Sequence, residues 1–370
     1  MSGQLTHDQT LVTILIATKD RPSELRRTLQ VLRNQTWSAI ELVVIDDGSK
    51  SNLASLVAEC WPEATFVRKE QSSGQSKRRS EGFLKARGKY ILQLDDDSAP
   101  VEPEALERAV QFLEGHPGVG ILSFYIFNGA DLPESLPRSE ARYAHSFVGC
   151  GALLRAAALR QTAGYRDFFG NEWEEEELAI QVLKAGWAIY FFPEVLIHHL
   201  VSARNRNSAR TWSRGLRNKL WSLIMHMPAR QLPLEVTWVL AVGFYDSIRM
   251  MRVGWLMRAL WQCALGLPRA IGLRAPMSPL VLRRYNALRF RGVTEANEFE
   301  TPARIGLADL RTWYRAWRDR PRQRSVWDRR PGDVGRSATV YFEHNDLATR
   351  ESADATSNTS KGQDLTQARR

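Results

Sequence analysis

Cysteine is scarce in this chain of 370 residues: Cys60, Cys150 and Cys263 are far apart and form no CxxC pair. That argues against a disulfide framework or a cysteine-ligated zinc site and points to a reducing compartment. No stretch reaches ~18 uninterrupted apolar residues, so no transmembrane helix is expected. The first ten residues, MSGQLTHDQT, lack the basic, apolar and small-residue order of a signal peptide. Neither GxxxxGK[ST] nor GxGxxG occurs, which counts against P-loop hydrolases and nicotinamide enzymes. No convincing Ser-His-Asp set and no internal repeat is visible.

What is present is 44% apolar residues, enough for one large domain or a domain with appendages. The net charge is +10, and nine arginines fall between Arg311 and Arg336. A basic balance of this kind suits an anionic partner: a phosphate-bearing substrate, a membrane surface or nucleic acid.

The apolar pattern alternates between two periods. Short β-branched runs at Leu11–Ala17, Ile40–Ile45, Ala64–Val67, Tyr90–Leu94, Gly120–Phe127 and Ala188–Phe192 read as strands. Helical spacing follows Ser23 (Leu25, Leu29, Leu32) and covers Leu53–Cys60, Ser76–Ala86, Pro103–Leu113 and Glu174–Ala185. The alternation predicts an α/β fold, a single Rossmann-like, mostly parallel sheet with helices on both faces. In such sheets ligands sit beyond the carboxyl ends of the strands. Two acidic clusters, Asp46-Asp47-Gly48-Ser49 and Asp95-Asp96-Asp97, fall at such ends.

Three adjacent carboxylates repel one another and need a cation or strong donors nearby. Oxygen ligands at i and i+2 suit Mg²⁺ or Mn²⁺, particularly with a substrate diphosphate completing the shell. An acidic turn leading into the next helix is the plainer reading, and DG and GS are ordinary turn chemistry. Gly74 to Arg79 (GQSKRR) opens a helix with cations and could approach a phosphate. His198-His199 closes a strand, where alternate side chains face opposite ways, so one can pack while the other reaches a metal. Glu174 to Glu177 form a run of four carboxylates at a helix start, where acids meet the helix dipole favourably. At about 100° per residue they cannot all face one cleft.

Together these motifs resemble the nucleotide-sugar half of family 2 glycosyltransferases of the GT-A fold. The residues are Asp46-Asp47-Gly48-Ser49, Gly74 with Arg79 and Gly82, and Gly88-Lys89-Tyr90-Ile91 leading to Asp95-Asp96-Asp97. Phe147 to Ala152 resembles the family's acceptor-side strand and turn, Glu174 to Leu178 its acidic motif, and Pro193 to His199 its strand ending in a metal-binding histidine. The resemblance covers about residues 11–225 and implies inverting transfer of a hexosyl or deoxyhexosyl group from a nucleoside diphosphate sugar, with Mn²⁺ or Mg²⁺. It implies nucleotide-sugar contacts for Thr18, Asp20, Asp46, Arg79, Asp95 and Asp96. The metal would be held by Asp97 and Asp95 with His199, and His198 as the fallback. Gly149, Gly151 and Glu177 fall on the acceptor side. Glu175 is the expected general base and Glu174 the second choice, while Glu176 is expected to be solvated. The family pair is usually Glu-Asp, and here the second position is Glu175. Arg217-Asn218-Lys219-Leu220-Trp221 resembles an Arg-Asn-x-x-Trp stretch of bacterial members.

The expected organisation is a flexible N-terminus over 1–10 and a catalytic domain over 11–225, divided into a nucleotide-sugar half (11–100) and an acceptor half (101–225). An amphipathic, membrane-associated helical region over 226–320 and a disordered, basic then polar tail over 321–370 follow. A polar loop with Pro133 and Pro137, from about Ala130 to His145, is expected to be mobile. Leu234–Gly272 carries Trp238, Trp255 and Trp261 among arginines, which suits interfacial helices on an anionic leaflet. That places the protein in the cytoplasm, peripheral on the inner face of the cell membrane, with a saccharide or glycolipid acceptor from cell-surface polysaccharide synthesis. Two rival readings are a nucleotidyltransferase with a similar metal site, which would release pyrophosphate, and a basic nucleic-acid binder. The acidic strand ends oppose the second, so no nucleic acid is expected.

Overall fold

The computed structural model describes residues 10–129, 131–132, 139–201, 208–318 and 339–340. The expectations for the N-terminus, for residues 130 and 133–138 of the loop expected over 130–145, and for nearly all of the tail lie outside these residues, while the end of that loop forms a short strand at Arg142–Tyr143. The chain begins with strand β1 (Val12–Thr18), helix α1 (Pro22–Leu32) and strand β2 (Ile40–Asp46). Pro22 starts α1 with its φ already helical, and Leu25, Leu29 and Leu32 are its buried stripe. Then come α2 (Ala54–Cys60), β3 (Thr65–Arg68), α3 (Gln75–Lys85) and β4 (Tyr90–Asp95). Gly82 lets α3 lie directly on β1, because a Cβ there would collide with the side chain of Leu15.

Strand β5 (Ser98–Pro100), helix α4 (Ala105–Gly115) and strand β6 (Val119–Asn128) follow. Beyond them lie β7 (Arg142–Tyr143), β8 (Gly151–Arg155), α5 (Ala156–Leu159), α6 (Glu174–Lys184) and β9 (Ala188–His199). The C-terminal part is helical: α7 (Ser208–His226), α8 (Leu232–Arg249), α9 (Val253–Gly272), α10 (Pro279–Phe290), α11 (Ala296–Glu300) and α12 (Leu307–Arg318). A short β10 (Thr339–Val340) pairs with β6.

All ten strands join one sheet, whose main path runs β3-β2-β1-β4-β8-β6-β9-β5. The first four are parallel, as the alternation predicts. Strand β8, which the periodicity does not single out, enters antiparallel between β4 and β6. Two registers place the chemistry. Thr18 lies opposite Asp46, and Ala17 opposite Asp95, so β1, β2 and β4 end on one edge. His199 lies opposite Asn128 on β6 and Ser98 on β5, which brings the end of β9 to the Asp95–Asp97 turn.

The core is apolar on both faces of the sheet, with β1 and β2 buried almost throughout. Each such Leu, Ile or Val contributes ~1.5–3 kcal/mol by burial. Leu216, Leu220 and Leu223 of α7, Val239 of α8, and Leu256 and Ala259 of α9 belong to the same apolar cluster. Phe169, Trp221, Met225 and Ala270 form a second, smaller one. The outer faces of α8 and α9 leave Phe244, Ile248, Met257, Trp261 and Leu265 exposed, and Met251 is exposed in the turn between them.

Candidate active site

Asp95 ends β4, and the chain turns sharply through Asp96 and Asp97 into β5. Ser98 holds the turn: its Oγ accepts from Asp95 N at 2.9 Å and donates to Cys150 O at 2.7 Å. The three aspartates separate in direction. Asp96 points inward, accepting from Thr18 Oγ1 at 2.8 Å and Arg21 Nη1 at 2.9 Å, while its carbonyl accepts from Thr28 Oγ1. Burial pushes its pKa up to about 7 against the pull of Arg21. Asp96 and Thr18, expected at the nucleotide, thus face each other, because one residue of a tight turn must point into the sheet.

Asp95, part-exposed, and Asp97, buried, both turn to His199. His199 Nε2 lies 3.1 Å from Asp97 Oδ1 and 4.0 Å from Asp95 Oδ2. Burial opposes a charged imidazole here, yet Cys150 and Asp97 together raise its pKa well above the ordinary value. His199 Nδ1 is 2.8 Å from Asn128 Oδ1, an arrangement that turns Nε2 towards the carboxylates. Ligating atoms of Asp95, Asp97 and His199 all lie within 4.8 Å of one another. Two carboxylates and an imidazole so placed fit a hard divalent cation such as Mn²⁺ or Mg²⁺. His198 does not join them. Strand alternation sends it to the other side of β9, where Nε2 is 2.8 Å from Gly129 O.

Arg79 connects this cluster to the glutamate helix. It is almost fully buried on α3, donates to Asp95 Oδ1 at 2.7 Å and Glu175 Oε1 at 3.0 Å, and bonds Gly149 O at 3.0 Å. Burial works against its charge, but Asp95, Tyr165 and Glu175 hold its pKa above the ordinary value. Gly149 is a spatial necessity, since a Cβ there would strike both Glu175 Oε1 and Arg79 Nη1. Gly151 is equally tight, its missing Cβ lying 2.6 Å from Ile126 Cδ1. Both expected acceptor-side glycines therefore let neighbours approach.

The four glutamates divide. Glu175 keeps 20% of its side chain exposed beside Arg79. Glu174 is buried, its Oε2 has no hydrogen-bond partner, and burial with the charge of Glu175 raises its pKa well above the ordinary carboxylate range. Glu176 is half-buried rather than solvated, and burial with the field of Glu175 lifts its pKa to about 7. Glu177 is fully buried, held by Arg166 at 3.2 Å, Gln181 at 2.7 Å and His226 at 2.9 Å. Expected on the acceptor side, Glu177 is instead held inside the fold by these contacts.

Asp46 is also buried. One oxygen accepts from Ser49 N and Oγ, and Oδ2 has no partner. Asp20 sits at φ +57° and braces the facing turn by accepting from Lys50 N at 2.7 Å. The start of α3 is not a free phosphate cradle. Gly74 N donates to Asp47, Gln75 N to Asn171 Oδ1 and Ser76 N to Gly170 O.

Sequence reasoning missed several residues. Arg21 bridges Asp96 and Asp97, Gln75 Nε2 donates to Asp95, and Asn128 orients His199. Asp47 gathers Ser72, Ser73, Gly74 and Arg78, and the charge of the last was a usable signal. Asn218, quoted only as part of a motif, is buried and donates to Phe169 O, Asn171 O and Glu172 O at 3.1, 3.0 and 2.6 Å. It clasps a loop in which Gly170, Glu172 and Trp173 all have positive φ, just before Glu174.

The family model described as glycosyl transferase family 2 matches residues 13–164. The amylovoran biosynthesis glycosyltransferase AmsE of Erwinia amylovora is 24% identical over 216 residues, 55% of this chain and 80% of that protein. An uncharacterized glycosyltransferase of Haemophilus influenzae is 29% identical over 112 residues, 30% of this chain and only 37% of that protein. Among solved structures, S. aureus TarS 1-349 in complex with UDP gives a TM-score of 0.53 at 16% identity, covering 83% of this chain and 91% of that one. GalNAc-T7 with UDP, GalNAc and Mn²⁺ gives 0.50 at 16% identity, covering 60% of this chain and 49% of that one. At such identities the likeness is one of fold.

Proposed function

The chain is a family 2 glycosyltransferase, and from that premise we propose that it moves a hexosyl or deoxyhexosyl group from a nucleoside diphosphate sugar to a hydroxyl of a glycolipid or lipid-linked saccharide, with inversion. The observation that carries the proposal is the line Asp97–His199–Asp95–Arg79–Glu175, which sets a divalent-metal site and a part-exposed carboxylate on either side of one buried guanidinium. The solved relatives with UDP, and with UDP and Mn²⁺, support this choice of donor and cofactor. AmsE, named for amylovoran biosynthesis, supports a place in polysaccharide assembly.

Asp95, Asp97 and His199 would hold Mn²⁺ or Mg²⁺, which as a Lewis acid offsets the charge growing on the departing diphosphate. Arg79 fixes one oxygen of Glu175 and orients its carboxylate. The other oxygen takes the acceptor hydroxyl proton as that oxygen attacks the anomeric carbon. Glu175 suits this work better than Glu174 because a base must reach the acceptor, and Glu174 is closed off. A single displacement needs no protein nucleophile. Among the described residues no helix is long and apolar enough to cross a membrane, and the arginine- and tryptophan-bearing α8 and α9 support peripheral attachment to the cytoplasmic leaflet.

The test is thermal stabilisation by a panel of UDP-, GDP- and dTDP-sugars with Mn²⁺. At least one should raise the melting temperature in a metal-dependent way, and Asp97→Ala should abolish the gain. If none stabilises the wild type, the donor reading fails.

A further inference from the structure

Arg21 and Asp96 take no step in this mechanism, yet both adjoin the metal site. Arg21 precedes Pro22, whose ring disfavours helical backbone at the residue before it. Its φ of −133° and ψ of 59° make it the cap of α1, and its carbonyl accepts from Leu25 N at 3.0 Å. From that fixed base the side chain, 17% exposed, reaches two carboxylates with one nitrogen. Nη1 donates to Asp96 Oδ1 at 2.9 Å and to Asp97 Oδ2 at 3.3 Å. Asp96 is itself pinned, because its Oδ2 accepts from Thr18 Oγ1 at 2.8 Å. Burial works against the guanidinium's charge, but Asp96 and Asp97 hold its pKa above the ordinary value.

The consequence falls on the ligand atoms. Asp97 gives Oδ2 to Arg21, and its Oδ1 lies 3.1 Å from His199 Nε2. Asp95 repeats the pattern: Oδ1 accepts from Arg79 Nη2 at 2.7 Å and from Gln75 Nε2, while Oδ2 lies 4.0 Å from His199 Nε2. Each carboxylate thus turns one oxygen to an arginine and the other to the imidazole. Two single oxygens and one nitrogen suit a small cation of octahedral preference, with places left for diphosphate oxygens and water. Ca²⁺ is larger, takes ~6–8 oxygens and often uses both oxygens of one carboxylate. The Asp97 side chain is only 1% exposed, so water cannot readily replace the guanidinium on Oδ2.

We propose that Arg21 confines Asp97 to ligation through one oxygen and so makes the site select Mg²⁺ or Mn²⁺ against Ca²⁺. This rests on the metal site of the glycosyltransferase reading and on nothing about its sugar or acceptor. Arg21 is a positioning residue, since it acts on the metal through Asp97. Asp96 is its anchor, which gives the middle aspartate of the run a purpose. A guanidinium that served only as a nearby charge would repel every divalent cation alike. Mn²⁺ and Ca²⁺ carry the same charge, so the ratio of their affinities cancels that repulsion and reports the mode of ligation.

The experiment uses the full chain with Mn²⁺ and Ca²⁺ alone as probes. Mn²⁺ binding is read from the loss of its free EPR signal, and Ca²⁺ binding from displacement of bound Mn²⁺. Wild type should prefer Mn²⁺ by about tenfold or more. Arg21→Met, similar in length but without charge or donors, should shrink that preference by about tenfold, within the range by which groups behind a metal ligand alter affinity. Arg21→Lys keeps a donor for Oδ2 and should keep most of the preference. Should Arg21→Met melt below wild type, the double variant with Asp96→Asn, which also removes the buried acid left without its counterion, should show the same reduced ratio. Both ions binding tighter in Arg21→Met with their ratio unchanged would overturn the assignment and leave the metal site standing. If neither ion binds the wild type, the metal site itself falls, and this inference with it.

Discussion

Glu174 and Glu175 are adjacent in sequence and opposite in surroundings. Glu175 lies at the rim beside Arg79, and Glu174 is buried with a partnerless oxygen. Glu175→Gln keeps the shape and the contact with Arg79 but cannot take a proton. We expect Mn²⁺-dependent donor binding to persist and turnover to fall by about 10²–10⁴-fold, the usual contribution of a general base; turnover near wild type would move the base elsewhere. Glu174 leads to a stability prediction with a definite sign. Its folded-state pKa is raised, so the folded protein keeps this proton longer than the unfolded chain does. The associated stability is present below the ordinary glutamate pKa and is lost as pH rises through the folded value. Glu174→Gln removes that loss. Its melting temperature should match wild type near pH 4 and exceed it near pH 8, as read by thermal melts; an equal difference at both would contradict the buried-acid account.

At the scale of elements, the loop before α6 stands out. Gly170, Glu172 and Trp173 occupy left-handed backbone, which for the latter two costs of order 1–3 kcal/mol each and persists only where the surroundings enforce it. Asn218 of α7 supplies that enforcement with one amide on three carbonyls, assisted by Arg217 on Phe169 O. Asn218→Ala should destabilise the protein by about 1–3 kcal/mol, the cost of leaving buried carbonyls unpaired. It should also lower kcat more than donor affinity, because the loop aims Glu175 but does not touch the metal cluster. Steady-state kinetics beside a Mn²⁺ and nucleotide-sugar titration would separate the two, and an equal loss in both would argue for plain unfolding. The strands β1, β2 and β4 and the helices α1, α3 and α6 are legible in the sequence, since apolar spacing and turn chemistry are local. Strand β8 and the Asn218 clasp are not, because their partners lie far along the chain.

At the scale of the whole molecule, the exposed apolar stripe of α8 and α9 sits among arginines in a chain of net charge +10. The full chain should sediment with phosphatidylglycerol vesicles at low salt and not with phosphatidylcholine vesicles. Raising salt to about 0.5 M should weaken binding by screening the arginines, and Trp261→Asp should weaken it at either salt. Protein that remains wholly in solution with anionic vesicles at low salt would remove the peripheral-membrane reading.

The sequence by itself determined that there is an α/β sheet, that carboxylates gather at the ends of β2 and β4, and that a glutamate-rich helix follows. Those signals need only neighbours a few residues apart. The tertiary structure decided which members of each cluster share a site. Arg79 reaches Glu175 across 96 residues, and it does so because Gly149 leaves room between them. The pairing of β9 with β6 and β5 sends His199 to the aspartates and His198 away from them. The turn after β4 folds Asp96 inward and leaves Asp95 and Asp97 for a metal. In each case the choice depends on strand register and close packing, which are properties of the assembled sheet and are absent from any short stretch of chain.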